Sequence, residues 1–323
     1  MPVIDRVKLA IRTFAGSVYG ASPYCLSHLR GKVLILMYHR VIPRHELDTS
    51  YVQPGMYVTP DTFETHLKFL TAHFHVLSLA EALARWQHGT WEDGVRYCVI
   101  TFDDGWLDNY QYAYPLLRAH RTPAAIFLPT ELIGTNKWLW WDRLGYLLTR
   151  TRTAQSRSMA DDLDSLIEQA KRIPGEAREA VIDDIARLLN AHPPPVRRFI
   201  NWDEAREMSA SGIAFGSHTA THAILTGLEP VALERELRRP LDTLRAERVN
   251  FTPVLCYPNG NHSSFVVRSA RAAGYAAAIT TAAGAESTTP ADLFRLRRVG
   301  VHNDMTRSTS LLTFHLARQT WSS

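Results

Sequence analysis

Cysteine is scarce in this chain, with 3 residues among 323. Cys25, Cys98 and Cys256 show no metal-type spacing and cannot all pair with one another. Dense basic runs are lacking as well, since arginine is spread along the chain and the net charge is only +4. These absences argue against a cysteine-based metal site and against a nucleic-acid-binding surface.

Long hydrophobic runs are also missing. No apolar stretch reaches the roughly 20 residues that a transmembrane helix requires. Arg6, Lys8 and Arg12 interrupt the apolar core that a secretory signal would need. We therefore expect a cytoplasmic location. A hydrophobic fraction of 46% with 21% charged residues is typical of a soluble enzyme.

Residues 1–32 form an N-terminal amphipathic segment. Its apolar stripe has helical spacing, with basic residues in between, and consists of Ile4, Val7, Ile11, Phe14 and Val18. One interpretation is a helix packed on the domain. The other is a peripheral membrane contact through residues 1–20.

Short apolar runs separated by amphipathic helical patterns predict a parallel α/β sheet. The helical patterns include residues 62–72, 108–120 and 264–273. Alternation of this kind favours a closed or nearly closed barrel within a single domain over residues 33–318. The predicted strands cover residues 33–38, 97–102, 124–128, 213–217, 253–257, 276–280 and 296–301.

Residues 136–200 break this alternation. The segment opens with Trp138, Trp140 and Trp141, continues as charged, helix-prone sequence, and closes with three prolines at 193–195. We expect a helical insertion in the barrel rather than a second domain.

Polar residues follow the predicted strands at the points where the strands end. Asp103 and Asp104 come directly after one buried run and precede Gly105. Asp-Asp-Gly can simply form a turn. At the carboxyl end of a barrel strand, however, one aspartate can bind a cation while its neighbour faces bound water.

Two histidines follow another strand with a spacing of four residues. His218 and His222 can meet on one side of a helical turn and bind one metal ion through imidazole nitrogens. A lone pair of this kind is a weak signal, but at the same edge as the aspartates it becomes stronger. Two histidines and one aspartate leave open positions, as in catalytic zinc sites.

Further candidates end the remaining strands. Tyr257, Pro258, Asn259 and Gly260 form a turn that can present backbone N–H groups to a developing oxyanion. His302 ends the last strand and is a candidate proton donor, although a packed or solvent-facing histidine is the alternative. His39 ends the first predicted strand, where we expect it to support the site rather than bind a ligand.

Together, the segments TFDDG, SHTATH, CYPNG and LRRVGVH resemble the polysaccharide deacetylase family (NodB homology, carbohydrate esterase family 4). The segment MYHRV at residues 37–41 resembles the first strand of the exopolysaccharide-modifying branch. The resemblance covers about residues 33–305. It implies a distorted (β/α)7 barrel, related to TIM barrels, that removes N-acetyl groups from amino sugars.

The resemblance also implies the role of each site residue. Asp104, His218 and His222 would bind a divalent metal, most simply Zn2+, with Co2+, Ni2+ or Mn2+ also suited to two imidazoles and a carboxylate. Asp103 would be the general base and His302 the general acid. The turn with Tyr257 and the backbone N–H of Asn259 would hold the oxyanion and substrate.

Tryptophans near the site can form a sugar platform, because aromatic faces pack against the C–H side of pyranose rings. Trp106, Trp140 and Trp141 are the candidates for this role. Packing in the core or at a helix interface is at least as good an explanation for Trp140 and Trp141.

The sequence departs from the family pattern at two places. Cys256 stands where the third motif often carries an arginine that orients the base, and the fourth motif has no convincing counterpart. Either Arg297 or Arg298 could supply the missing charge, but strand alternation lets only one of them face inward.

We therefore expect a metal-dependent N-deacetylase acting on an exopolysaccharide, a capsular glycan or a lipid-linked glycan precursor. The alternatives are a deformylase or amidohydrolase for another small acyl amide, and a catalytically silent glycan-binding barrel. A binding protein has no need for an acid and a base beside an open metal site.

Overall fold

The structure, a computed structural model, describes residues 26–47, 51–53, 55–150 and 163–321. Most of the predicted N-terminal segment, including the interval 1–20, lies outside these residues. Its described end forms a short turn, Ser27–Leu29, in which Leu29 is buried.

The described strands form a closed parallel barrel. Strand β1 pairs in parallel with both β5 and β11, so the sheet closes on itself. The barrel order is β1, β5, β6, β7, β8, β9 and β11, which confirms the predicted (β/α)7 class and all seven predicted strands. Strand β4 extends the sheet beside β5, and β10 pairs antiparallel with β1. The bounds are β1 Lys32–Tyr38, β2 Arg40–Val41, β3 Tyr57–Val58, β4 His75–Leu77, β5 Arg96–Phe102, β6 Ala125–Leu128, β7 Ala214–Ser217, β8 Phe251–Cys256, β9 Ala277–Ala283, β10 Glu286–Ser287 and β11 Leu296–Gly300.

Helices surround the barrel, and several begin with strong capping residues. Ser78 and Asn201 each form a capping box, with Glu81 and Glu204 respectively. The described helices are α1 Arg44–Leu47, α2 Pro60–His73, α3 Leu79–His88, α4 Tyr114–Ala119, α5 Trp140–Arg150, α6 Leu163–Ala170, α7 Gly175–Leu189, α8 Trp202–Ala210, α9 Pro230–Ala246, α10 Ser264–Ala273, α11 Asn303–Thr306 and α12 Thr309–Thr320.

Alternation along the strands separates the barrel interior from its helix-covered face. In the interior, Val33 lies opposite Tyr97 and Ile35 opposite Val99, within one apolar cluster. Leu34 and Cys98, one position along, belong to the cluster beneath the helices. Apart from the Tyr97 hydroxyl, these inward positions toward the amino ends of β1 and β5 are apolar, and Asp103 follows at the carboxyl end of β5.

The insertion is helical, as predicted. Helices α5, α6 and α7 pack around an apolar cluster of their own, which includes Leu144, Leu147, Ile167 and Ile182. Its return segment is attached to the barrel, because Phe199 pairs with Trp106 in an antiparallel bridge. Within the described part of the chain, no helix combines the length and the apolar character needed to cross a membrane.

Close packing at β7 makes Gly216 a sensitive position. A Cβ atom there would lie 2.5 Å from Phe127 Cε1 and 3.0 Å from the Val254 carbonyl oxygen. We expect Gly216→Ala to lower the free energy of unfolding by about 1–3 kcal/mol, because an overpacked core must shift. Denaturant titration measures this change. Gly227→Ala is the control, since its Cβ would meet nothing within 4 Å, and equal stability losses would contradict the packing argument.

Candidate metal centre and active site

The loop after β5 places two carboxylates at the carboxyl end of the barrel. Asp103 and Asp104 are 2% and 1% exposed. Asp104 has a φ of 73°, in the left-handed region that non-glycine residues rarely adopt. A Cβ on the following Gly105 would lie 2.5 Å from Leu128 Cδ2. The turn that follows the two aspartates therefore requires glycine at position 105, because a larger residue would clash with Leu128.

Asp104, His218 and His222 converge on one point. Asp104 Oδ1 lies 3.4 Å from His218 Nε2 and 3.3 Å from His222 Nε2. The three potential ligand atoms lie within 4.8 Å of one another. Asp104 Oδ1 is buried and has no hydrogen-bond partner among the described residues. A buried, unpaired carboxylate oxygen facing two imidazole nitrogens fits a divalent cation.

Neighbouring groups orient this ligand set. His218 Nδ1 donates to the Cys256 carbonyl oxygen at 2.8 Å, which leaves Nε2 with the lone pair that a metal needs. Trp106 Nε1 donates to Asp104 Oδ2 at 2.9 Å and so fixes the other carboxylate oxygen. The ring of Trp141 meets the His222 ring edge-on, with centroids 4.7 Å apart.

A buried glutamate on α9 holds the loop between the two histidines. Glu236 accepts hydrogen bonds from the backbone N–H groups of Ala220 and Thr221 and from the Thr221 hydroxyl. Glu236 was not among the residues predicted from the sequence. A signal was present, because Glu236 lies beside Leu237 on the apolar side of its helix, where a charged residue needs partners.

The electrostatics favour the protonation state that a ligand requires at Asp104 and His222, but they favour a proton on His218. Burial would raise the pKa of Asp104, but His218 and His222 outweigh burial and hold it well below its ordinary value. Burial, together with the nearby His218, lowers the pKa of His222. Burial also opposes charge on His218, yet Cys256, Asp104 and Asp103 raise its pKa well above the ordinary value. Metal binding at this centre therefore competes with a proton on His218.

Asp103 forms a bidentate ion pair with Arg298. Arg298 Nη1 and Nη2 donate to the two carboxylate oxygens at 2.7 and 2.8 Å, and Arg298 is 1% exposed. Nη2 also lies 3.2 Å from Cys256 Sγ. Of the two arginines considered from sequence, Arg298 is thus the one that faces inward, while Arg297 pairs with Glu286. Burial alone would raise the pKa of Asp103, but Arg298 outweighs it and lowers the pKa to about 2.

The structure places His39, and not His302, at the cavity beside Asp103. His39 Nε2 lies 3.8 Å from Asp103 Oδ2, and His39 lines the cavity. His302 is not among the cavity-lining residues, and its Nδ1 lies 3.1 Å from Asp304 Oδ1. The reason is local. His302 follows the end of β11 as the cap residue before α11, and its imidazole contacts Asp304 of that helix.

Of the other site residues predicted from the sequence, some lie at the cavity wall and others lie in the core. Asn259 lines the cavity, from a turn in which its φ is 56°. Tyr257 borders the cavity, but its buried hydroxyl donates to the Phe294 carbonyl oxygen. The expected sugar platform at Trp106 is wrong, because this residue is 2% exposed and packs beneath Asp104. The Trp106 side chain is instead the hydrogen-bond donor to the buried carboxylate of Asp104.

The catalytic cavity has a volume of about 260 Å3 and is roofed by the insertion. Trp140, Trp141, Ile167 and Lys171 come from that insertion and line the cavity together with the barrel residues. Ile167 and Lys171 were missed from sequence, since nothing in their local pattern shows that α6 folds back over the barrel. Trp141, one of the predicted platform residues, is half-buried at this wall.

Comparisons with known proteins bear on the family and the fold of this chain. The sequence profile described as polysaccharide deacetylase matches residues 92–278, more than half of the chain. The Bacillus subtilis (strain 168) protein YxkH, whose name places it among the polysaccharide deacetylases, is 24% identical over 281 residues. That alignment covers 86% of this chain and 74% of the relative.

Solved structures share the fold. The Streptococcus pyogenes deacetylase PplD, solved in complex with acetate, superposes with a TM-score of 0.59 and 20% identity, covering 88% of this chain and 98% of that one. A de-N-acetylase from Aggregatibacter actinomycetemcomitans superposes with a TM-score of 0.55 and 16% identity, covering 88% and 99%. At this level of identity the similarity establishes the barrel and not the substrate.

The role of the Asp103–Arg298 ion pair can be tested by measuring the pKa of Asp103. We expect Arg298→Lys to raise the pKa of Asp103 above about 2, because a lysine keeps the charge but loses the two-pronged contact. The carboxylate would then gain its proton at a higher pH as the solution is acidified. The 13C resonance of the Asp103 carboxyl, followed by NMR between acidic and neutral pH, measures the midpoint.

Arg297→Lys is the matched control, because this neighbour pairs with Glu286 instead of Asp103. In the Arg297→Lys variant, the titration midpoint of the Asp103 carboxyl should equal that of the wild type. An unchanged midpoint in Arg298→Lys would show that Arg298 does not set the ionisation of Asp103.

Proposed function

Because this chain belongs to the polysaccharide deacetylase family, hydrolases that act on carbon–nitrogen bonds, we propose that it removes N-acetyl groups from amino sugars with the help of a divalent metal ion. One observation carries the proposal. A three-ligand centre of Asp104, His218 and His222 lies in the same cavity as the arginine-paired carboxylate of Asp103.

Asp104, His218 and His222 would hold the metal. One carboxylate and two imidazoles suit Zn2+ best among common ions, and Co2+, Ni2+ or Mn2+ would also bind. When bound there, a divalent cation polarises the acetyl carbonyl and acidifies water. Asp104 Oδ1 is buried, lacks a hydrogen-bond partner among the described residues and faces two imidazole nitrogens, which supports a cation at this site.

Asp103 serves as the general base. Its carboxylate stays ionised at neutral pH because Arg298 holds its pKa low, and its Oδ2 faces the cavity side where His39 lies. The bidentate contact with Arg298 keeps the carboxylate in one orientation while it accepts a proton from the attacking water.

His39 serves as the general acid in this proposal, in place of His302. The departing nitrogen of an amide must gain a proton, or the intermediate collapses back to substrate. His39 lines the cavity, and its Nε2 lies 3.8 Å from Asp103 Oδ2, so the proposed acid and base share one side of the site. Burial lowers the pKa of His39, which makes its charged form a stronger acid. Asn259, at the cavity wall, would direct its backbone N–H toward the oxyanion.

The substrate we propose is an N-acetylated glycan, either an exopolysaccharide, a capsular glycan or a lipid-linked precursor. The titles of two similar structures support the reaction, since one names acetate and the other a de-N-acetylase. The basic amphipathic pattern of residues 1–20 supports a cytoplasmic enzyme close to a membrane. The complete acid–base set around the metal ligands speaks against a silent binding protein.

Acetate release together with metal content tests the proposed chemistry. Metal-loaded wild type should release acetate from N-acetylated glycans. Asp103→Asn should retain stoichiometric metal and lose about 10²–10⁴ in rate, because it removes only the base. His218→Ala should lose the metal itself, measured by elemental analysis. Equal acetate release by the wild type and Asp103→Asn would remove Asp103 as the base.

The identity of the acid is tested by a pair of histidine variants. We expect His39→Gln to lower kcat by about 10²–10⁴, because the leaving nitrogen loses its proton donor. His302→Gln should stay within a few-fold of the wild type, since His302 does not line the cavity. The reverse ranking in an acetate-release assay would return the role of acid to His302.

A further inference from the structure

The two imidazoles of the candidate metal centre are held in different ways. His218 directly follows β7, and its backbone N–H donates to the Leu128 carbonyl oxygen at 2.9 Å. Its Nδ1 donates to the Cys256 carbonyl oxygen at 2.8 Å. Metal-binding histidines almost always have such a partner on the second ring nitrogen, because it fixes the orientation of the ring. The barrel therefore holds both the backbone and the ring of His218.

His222 lacks a partner of this kind among the described residues. Its Nε2 lies 3.3 Å from Asp104 Oδ1, and its ring meets the rings of His218 and Trp141 edge-on. Within the described ranges, no residue forms a hydrogen bond with its Nδ1. The position of His222 therefore depends on the backbone that carries it, which is the loop 219–221 between the two histidines.

The backbone of this loop is strained. Thr219 and His222 have φ of 66° and 64°, in the left-handed region that non-glycine residues rarely adopt. The branched Cβ of Thr219 makes this conformation especially unfavourable. Such a conformation persists only where the surrounding structure holds it in place. The position of His222 thus requires contacts that fix the loop.

Contacts from two elements fix the loop. On one side, the backbone N–H of Glu131, after β6, donates to the Ala220 carbonyl oxygen at 2.8 Å. On the other side, Glu236 of α9 accepts from the N–H groups of Ala220 and Thr221 at 2.9 and 3.0 Å. It also accepts from the Thr221 hydroxyl at 2.9 Å. Hydrogen bonds to a carboxylate are stronger than those between neutral groups, and Glu236 is only 7% exposed.

We propose that Glu236 is a positioning residue of the metal centre. It holds loop 219–221 in its strained form and so keeps His222 opposite Asp104 and His218. Preorganised ligands bind a cation more tightly, because binding does not have to order them first. Glu236 does not line the catalytic cavity, so it acts only through the loop. The inference rests on the proposed function, because it takes the three residues to be ligands of a divalent cation.

The Kd of the full chain for Zn2+ tests the proposal, measured by competition with a chromophoric chelator after removal of bound metal. Glu236→Met keeps the length of the side chain but removes every acceptor, and it should weaken Zn2+ binding by about 10- to 100-fold. Glu236→Gln keeps an oxygen for the two N–H groups, and its amide can donate to the Thr221 hydroxyl. Its Kd should therefore stay within about threefold of the wild type. If both variants weakened binding equally, the hydrogen bonds would not be the cause and the proposal would fail.

Glu234→Met is the matched control. Glu234 lies on the same helix, but its side chain is exposed and pairs with Arg238 at 2.8 Å. In this control the Kd for Zn2+ should equal that of the wild type. A loss as large as that in Glu236→Met would reveal an effect of the helix as a whole and would contradict a role through the loop.

The visible absorption of bound Co2+ adds a readout that a change in stability alone would not move. In Glu236→Met the spectrum should shift toward that of His222→Ala, because both variants lose a firmly held His222. Circular dichroism of the metal-free proteins shows whether each variant is folded. Should Glu236→Met not fold, Thr221→Val takes its place, since it removes only the hydroxyl bond and should weaken Zn2+ binding by about 2- to 10-fold. A wild-type Kd in folded Glu236→Met, or in Thr221→Val where it takes that place, would overturn the proposal.

Acetate release from N-acetylated glycans separates this inference from the proposed function. If Glu236→Met binds Zn2+ more weakly but the wild type releases no acetate, the positioning role stands and the proposed reaction fails. If the wild type releases acetate but the two proteins bind Zn2+ equally well, the reaction stands and the positioning role fails. A wild type that binds no divalent metal contradicts both.

Discussion

The buried ion pair between Asp103 and Arg298 is the interaction on which the site depends. A carboxylate at the end of a closed barrel is cut off from water, and burial of an unpaired charge is costly. Arg298 reaches Asp103 from a strand that is not adjacent in the barrel, and its Nε donates to the Thr280 carbonyl oxygen. Asp103 can therefore remain ionised and fixed without exposure to solvent. Asp103 pairs with an arginine of the protein, whereas its neighbour Asp104 faces the two histidines of the candidate cation site.

A second buried network connects the metal centre to the insertion. Trp106 donates to Asp104 and is itself covered by Arg40, whose guanidinium carbon lies 4.4 Å from the ring centroid. Arg40 pairs with Asp108, and the β-bridge between Trp106 and Phe199 ties the ligand loop to the insertion's return segment. The insertion that lines the cavity is thus also connected, through Phe199 and Trp106, to the candidate ligand Asp104.

The fold was predictable because its signals are local. Apolar strands, amphipathic helices and the charged interval at 136–200 each show their periodicity within a few residues, and each was confirmed. The clustering of the candidate metal ligands was predictable because strand ends in a parallel barrel meet at one edge, as Asp104 and His218 do. Strand alternation predicted that only one of Arg297 and Arg298 faces the barrel interior. It could not say which one, because the sequence does not show whether the odd- or even-numbered residues of β11 point inward.

The sequence by itself determined the barrel, the insertion and the three potential metal ligands, since short-range pattern and strand order suffice for these. Only the tertiary structure decided that His39 shares the cavity while His302 does not, and that Trp106 supports Asp104 from the core. It alone placed the insertion over the cavity. The physical reason is that side-chain direction at a loop or cap depends on backbone angles and on packing against residues distant in sequence, which no local pattern encodes.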